Sequence, residues 1–406
     1  MTRPRLAYLT GEYPRASDTF IQREVAALRA LGHEVLTCSI RTTGAEHLVG
    51  PEQREEHART FKVLEACRPL RVLRAQARWM ARPSRYLRAL GLAWRTAPKG
   101  LRGRLYNLIY FLEAAVLADE LRRRGIDHLH NHIATASCTV AMLASALSGL
   151  PYSFTIHGPD IFFDPRHWRI DEKTARAAFV VCISDFCRSQ LMCFADRAHW
   201  DRLHVVHCGV DPDRYALSEH KGRELLFVGR LAAVKGVPVL LEALRDLPGD
   251  WHLTVIGDGP DRAMLETDIG DLPVTFAGYR SQAEVAKALS ETDVFVLPSF
   301  AEGVPVVLME AMASGVPVVT TRIAGVPELV DETSGWLVTP GHAGALRSAI
   351  EQALLQPDLR KTMGRKGRAT VAAEFNITTE AARLSALFRG YHDGRPPKTI
   401  RPEAPR

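Results

Sequence analysis

Short apolar runs alternate along the chain with segments whose apolar residues recur at helical spacing, a pattern that predicts strands and helices in succession. In the N-terminal half the first run is Leu6 to Leu9. A Gly11/Pro14 turn follows, then a helix from Ser17 with Phe20, Ile21, Val25 and Leu28 on one face. A strand is expected from Glu34 to Ile40. After an arginine-rich stretch the rhythm resumes with a strand at Ile126 to His130 and a small-residue helix near Thr135 to Leu147. Strands at Tyr152 to Ile156 and Phe179 to Ile183 and a helix from Ser184 come next. A second series starts at Glu224 to Val228 and continues through Leu253 to Ile256, Val274 to Ala277, Val294 to Leu297, Val318 to Thr320 and Trp336 to Val338, with helical windows between them.

This alternation predicts an α/β protein of two Rossmann-like domains with parallel sheets facing across a cleft, with sites beyond the carboxyl ends of the strands. The expected divisions are an N-terminal domain over 1–208 with a basic insertion at about 51–104, and a C-terminal domain over 209–377. A helix over 378–391 is expected to cross back to the N-terminal domain, ahead of a disordered tail over 392–406 rich in Pro and Arg.

Composition narrows the class. At 406 residues, 46% hydrophobic and 24% charged, the chain fits two soluble domains and not a disordered or many-span membrane protein. No run reaches the roughly 18 apolar residues of a spanning helix, and the apolar start is too short for a signal peptide. Seven cysteines without a C-x-x-C pair indicate neither a disulfide framework nor a zinc knuckle, so a reducing cytoplasm is the expected location.

The richest window for chemistry runs from Pro298 to Glu310, immediately after an apolar strand. Gly303 lets backbone approach a ligand, Pro305 suits the first helical position, and Gly315 suits the stop, so this helix would offer N–H groups to a phosphate. Glu302 lies ahead of the helix and Glu310 one to two turns inside it. That spacing fits a nucleotide sugar, with the diphosphate on the helix end, ribose hydroxyls on Glu310 and sugar hydroxyls on Glu302. A capping acid at Glu302 and a solvated or paired acid at Glu310 would use the same residues. Arg230 and Lys235, in the loop after the first strand of the second domain, would meet the diphosphate opposite the helix and stabilise the leaving group.

Gly229-Arg230 with Lys235-Gly236, Gly257-Asp258-Gly259-Pro260, and Glu302 and Glu310 with seven residues between them resemble glycosyltransferase family 4 in order and spacing over most of the chain. The resemblance implies a GT-B fold and transfer from a nucleotide sugar with retention of anomeric configuration, without a metal or other cofactor. It implies diphosphate binding by Arg230 and Lys235, sugar binding by Glu302, and ribose binding by Glu310. Gly229 and the backbone of Gly303, Val304 and Val306 complete the donor site, and Gly278 to Arg280 resembles the base-contacting segment. His157, at the end of a strand, resembles the family's cleft histidine; a purely structural strand-end histidine is the alternative. On the acceptor side Gly11, His130 and Asp160 are candidates.

His128, His130 and His132 would share one face of a strand. Three imidazoles so placed can bind zinc, but no carboxylate or cysteine pattern accompanies them in the sequence, so no metal is expected. The windows Pro14 to Ile21 and Val206 to Asp211 resemble a subgroup building exopolysaccharides of the colanic acid or amylovoran kind.

Charge is concentrated. Between Pro51 and Arg104 fourteen Arg or Lys face four Glu, a net +10 within a chain of net +6. Arg71, Arg74, Arg78 and Arg82 fall at helical spacing among apolar residues, a basic amphipathic surface suited to an anionic inner-membrane leaflet. The expectation is a peripheral, retaining hexosyltransferase acting on a saccharide or lipid-linked saccharide in exopolysaccharide assembly, with UDP preferred over GDP and no nucleic acid bound. The rivals are a sugar-nucleotide hydrolase or epimerase of the same fold, and a non-catalytic nucleotide- or nucleic-acid-binding protein.

Overall fold

A computed structural model describes residues 3–16, 18–158, 163–218 and 222–397. The chain divides into two compact units, Met1–His207 with Ala381–Arg406, and Cys208–Glu380.

In the first unit, strands β1 (Leu6–Glu12), β2 (Val35–Arg41), β3 (Phe61–Lys62), β4 (His128–His132), β5 (Tyr152–Ile156), β6 (Val180–Cys182) and β7 (Leu203–Val205) form one parallel sheet. Its order is β3-β2-β1-β4-β5-β6-β7. The order reverses between β1 and β4, the switch point at which doubly wound sheets open toward ligands. Helices α1 (Thr19–Ala30), α2 (Pro51–Arg59), α3 (Val63–Ala66), α4 (Pro69–Met80), α5 (Pro83–Arg95), α6 (Leu101–Arg123), α7 (Ala136–Ser148), α8 (Ile170–Arg176) and α9 (Asp185–Met192) connect the strands. Helix α1 buries Ile21, Val25 and Leu28 in a core shared with Leu6, Tyr8 and Val181 of the sheet and with Phe179 just ahead of β6.

The second unit holds β8 (Glu224–Val228), β9 (His252–Ile256), β10 (Val274–Gly278), β11 (Val294–Leu297), β12 (Val318–Thr321) and β13 (Gly335–Val338), again all parallel, in the order β10-β9-β8-β11-β12-β13. Here the switch point lies between β8 and β11. Helices α10 (Val237–Arg245), α11 (Arg262–Asp268), α12 (Gln282–Ser290), α13 (Val306–Ala313), α14 (Ala343–Leu355) and α15 (Pro357–Glu374) complete it. The last helix, α16 (Ile377–His392), begins in this unit and contributes Leu384, Leu387 and Phe388 to the core of the first.

Four details differ from the sequence reading. Strand β1 continues through Gly11 to Glu12, so Gly11 lies within the strand and not in a turn, and a Cβ there would meet nothing within 4 Å. Helix α1 starts at Thr19, two residues later than expected; Ser17 falls outside the described residues. Of the expected tail, residues 393–397 follow α16 with Arg395 N–H donating to the Gly390 carbonyl at 2.8 Å, and residues 398–406 lie outside the described range. The basic helical face is partly neutralised. Arg71 pairs with Glu120 at 2.7 Å and Arg78 with Asp119, both acids on α6, because the buried Glu120 carboxylate requires cationic partners.

Candidate active site

In the second unit two glycines bring the loops at the switch point together. Gly257 has φ +133°, and a Cβ there would stand 1.9 Å from the Gly229 carbonyl oxygen; Gly236 has φ +66°, and its Cβ would stand 2.2 Å from the Pro298 oxygen. Only glycine tolerates both the backbone angles and the contacts. The loop after β9 therefore packs on the loop after β8, with Gly229 N–H donating to Ile256 and Leu231 N–H to Asp258, each at 3.0 Å. The loop after β8 packs in turn on the loop after β11, through Phe300 N–H donating to Val234 at 2.7 Å.

This double stacking delivers Lys235 to Glu302. The Lys235 ammonium contacts the Glu302 carboxylate, which also accepts the Ser299 hydroxyl at 2.7 Å, and the two side chains are 20% and 13% exposed. The sequence reading gave Lys235 to the diphosphate opposite the helix and Glu302 to the donor sugar; the structure shows the two side chains in direct contact. Cation and carboxylate balance each other's charge in a half-buried position, which lowers the desolvation cost of either alone.

Helix α13 starts beside Glu302. Pro305 occupies its N-cap and not the first helical position, and no side chain caps it, in contrast to the serines that cap α9 and α12. The N-cap residue therefore offers no side-chain acceptor to the first-turn N–H groups, and Leu308 N–H donates back to the Pro305 carbonyl at 3.1 Å. Gly303 and Val304 are buried, Val306 is half-buried, and Glu310 is 8% exposed inside the helix. Arg230 is exposed, with no hydrogen bond or ion pair among the described residues. Gly278 ends β10 at φ +69°, and its carbonyl accepts Gly257 N–H at 2.9 Å. Arg280, just beyond, is exposed and lies 3.9 Å from Glu284.

In the first unit, β4 is polar yet fully buried, which is tolerable only with its side chains bonded. Ser153 Oγ lies 2.7 Å from both His128 Nε2 and His130 Nδ1, and Thr155 Oγ1 lies 2.9 Å from His130 Nε2. Burial drives His128 down to about 3 and His130 well below the usual histidine range, with the neighbouring imidazoles adding to the shift, so both rings are neutral.

At the carboxyl end of the strands His132 Nδ1 stands 3.1 Å from His157 Nε2, and His132 Nε2 stands 3.1 Å from Glu24 Oε1, which also accepts the Tyr8 hydroxyl at 2.7 Å. Phe20 packs against His157 with ring centroids 4.7 Å apart. Burial and then His132 hold His157 well below its usual range. Glu24 escaped the sequence reading, and His132 entered it only as one of three imidazoles on one face of a strand. Ligating atoms of Glu24, His130 and His132 lie within 4.8 Å of one another. Both nitrogens of His130 and of His132 are already engaged, however, those of His130 with the Ser153 and Thr155 hydroxyls and those of His132 with Glu24 and His157. Asp160 lies outside the described residues.

The first unit also contains a cavity of about 420 Å³, lined by Lys99, Arg102, Tyr106, Tyr110, Trp168 and Arg169 among others, with no Asp or Glu in its wall among the described residues.

Two Rossmann-like parallel-sheet units are the architecture of the GT-B class, and comparison with known proteins agrees. Residues 213–370 match the family model described as glycosyl transferases group 1, and residues 18–214 match glycosyltransferase family 4. The chain belongs to glycosyltransferase family 4 and is an enzyme of the hexosyltransferase class.

Among relatives, a protein named as the colanic acid biosynthesis glycosyltransferase WcaL of Salmonella typhimurium is 27% identical, over 95% of this chain and 99% of that protein. A glycosyltransferase of Methanocaldococcus jannaschii is 30% identical, over 61% of this chain and 71% of its own length. The amylovoran biosynthesis glycosyltransferase AmsK of Erwinia amylovora is 37% identical over 43% of this chain, and the match spans about half of that protein, 48%. Sucrose-phosphate synthase of Thermosynechococcus elongatus superposes with a TM-score of 0.75 at 20% identity, over 96% of this chain and 100% of its own. HepE of Anabaena, solved with UDP and glucose, gives 0.71 at 18% identity over 95% and 100%. No described helix is long and apolar enough to cross a membrane.

Proposed function

We propose that the chain is a retaining, metal-independent glycosyltransferase that moves a hexosyl group from a nucleoside diphosphate sugar to a lipid-linked saccharide during exopolysaccharide assembly. The observation that carries this reading is the Lys235–Glu302 contact beside the uncapped start of α13, at the switch point of the second sheet. The N–H groups of α13 and the side chains of Arg230 and Lys235 receive the diphosphate. Glu302 accepts hydroxyls of the transferred sugar, and Glu310 accepts those of the ribose. When donor enters, Lys235 exchanges part of its contact with Glu302 for a phosphate oxygen. As the glycosidic bond breaks, negative charge grows on that phosphate, and fixed cations stabilise it more in the transition state than in the ground state. The acceptor hydroxyl attacks from the face the phosphate leaves and gives its proton to the departing phosphate oxygen, so no protein nucleophile is needed. UDP is the preferred base carrier, in keeping with the UDP in the solved HepE complex.

An exopolysaccharide acceptor is favoured by the names of the WcaL and AmsK relatives. A peripheral position at the inner membrane is favoured by the stretch from residue 66 to 112, which contains eleven Arg or Lys and no Asp or Glu. Its helices expose Leu70, Leu73, Leu87, Trp94, Leu101 and Leu105. Apolar side chains among cations, of which Arg71 and Arg78 are paired with acids of α6 and Arg74, Arg82 and Arg88 are exposed, match an anionic leaflet, and the acid-free cavity suits an acceptor head near that surface.

Glu302→Gln is the direct test. Transfer to acceptor, measured by product analysis with and without saccharide, is expected to fall by about a hundredfold or more, while calorimetry still detects nucleotide-sugar binding. Unchanged turnover would remove Glu302 from the mechanism, and acceptor-independent breakdown of the donor would indicate a hydrolase.

A further inference from the structure

We infer that the cavity of the first unit holds the sugar-phosphate head of the lipid-linked acceptor, its phosphate on Lys99 and Arg102 and its first sugar against Tyr106, Tyr110 and Trp168. The inference rests on the reading of the acceptor as a lipid-linked saccharide. At about 420 Å³ the cavity falls within the roughly 300–1,000 Å³ of small-molecule sites. Its cations are not equivalent. Arg169 pairs with Asp171 at 2.8 Å, and the Lys173 ammonium donates to the Ala134 and Thr135 carbonyls, each at 2.8 Å, so both already serve the fold. Lys99 and Arg102 are exposed and have neither hydrogen bond nor ion pair among the described residues; the Arg102 guanidinium lies over the Tyr106 ring, 5.6 Å from its centroid. Two cations free of acids, on a wall without Asp or Glu among the described residues, attract an anion.

The surroundings make that anion part of an amphiphile. On α6, Arg102, Tyr106 and Tyr110 recur every four residues along the cavity wall, and Leu101, Leu105 and Leu112 occupy the next face of the same helix, all three exposed. A phosphate at Lys99 and Arg102 therefore has aromatic rings on one side and uncovered leucines on the other. Tyr and Trp combine a flat apolar face with a polar edge, which suits the C–H face and hydroxyls of a sugar, and the leucines suit a hydrocarbon chain. A phosphatidylserine head would supply the anion and the chains but no ring for the aromatic wall. Through Lys173 the cavity also borders the loop that follows β4, at the carboxyl end where doubly wound sheets bind ligands.

Calorimetry on the full chain without donor, at probe concentrations below micelle formation, tests this. Farnesyl glucosyl phosphate is expected to bind one to one. Octyl glucoside, which lacks the phosphate, glucose 1-phosphate, which lacks the chain, and dihexanoyl phosphatidylserine, which lacks the sugar, should each bind at least about tenfold more weakly. Lys99→Ala combined with Arg102→Ala should weaken farnesyl glucosyl phosphate by about a hundredfold, with octyl glucoside and the melting temperature unchanged, because both side chains are exposed. Unaltered affinity of that double variant for farnesyl glucosyl phosphate overturns the inference. Phosphatidylserine binding as tight as that of the glycosyl phosphate overturns it too, since the cavity would then be a general phospholipid site. No transfer is read in these measurements. Failure here leaves the glycosyltransfer reading standing, and failure of that reading in Glu302→Gln leaves the binding result standing.

Discussion

Glu113, on the buried half of α6, has a carboxyl oxygen with no hydrogen-bond partner among the described residues, and burial, only partly opposed by Arg41, pushes it up to about 7. A carboxyl whose folded pKa is raised favours folding in its protonated form. The benefit is present at acid pH and is lost as pH rises through about 7. Glu113→Gln should therefore be more stable than the native protein at pH 8, by on the order of 1–3 kcal/mol, with the difference vanishing near pH 5. Thermal unfolding at both pH values checks this, and a pH-independent difference would contradict it. Residue types in the site were legible in the sequence: Arg230, Lys235, Glu302 and Glu310 declared themselves through loop and helix spacing. Their pairing was not, because Lys235 reaches Glu302 across 67 positions of chain. Nor was Glu24, which meets His132 across 108.

Elements were legible where parallel strands are buried on both faces and therefore read as continuous apolar runs, as Val294–Leu297 and Tyr152–Ile156 do. Strand β4 was displaced by two residues in the reading because its imidazoles stay inside through hydroxyls of β5, a partner that periodicity cannot see. Strands β3 and β7, of two and three residues, carry too few positions for any pattern. The glycine turns are the elements on which the donor loops depend. Gly257→Ala should cost on the order of 2–4 kcal/mol, since the new Cβ meets backbone at a positive φ, and should weaken nucleotide-sugar binding along with stability. A lowered melting temperature with unchanged affinity would separate fold from site and refute the stacking argument.

For the whole molecule, charge placement makes the strongest prediction. Arg74, Arg82 and Arg88 are exposed and have no partner among the described residues, unlike Arg71 and Arg78. Replacing all three by Glu should weaken partitioning onto phosphatidylserine vesicles by about 3 kcal/mol or more, a hundredfold, and leave transfer to a water-soluble acceptor intact. Native binding should fade with added salt. Equal sedimentation of native and altered protein with vesicles would eliminate this surface as the docking face.

The path of α16 bears on how the protein is made. The first unit occupies the first 207 residues, yet Leu384, Leu387 and Phe388 belong to its interior. During synthesis these three side chains leave the ribosome only after the whole second unit, so the earlier-made half must wait, its apolar surface incompletely covered, while the later half is being translated. The nascent chain is thus an obvious client for a chaperone until the turns of α16 emerge.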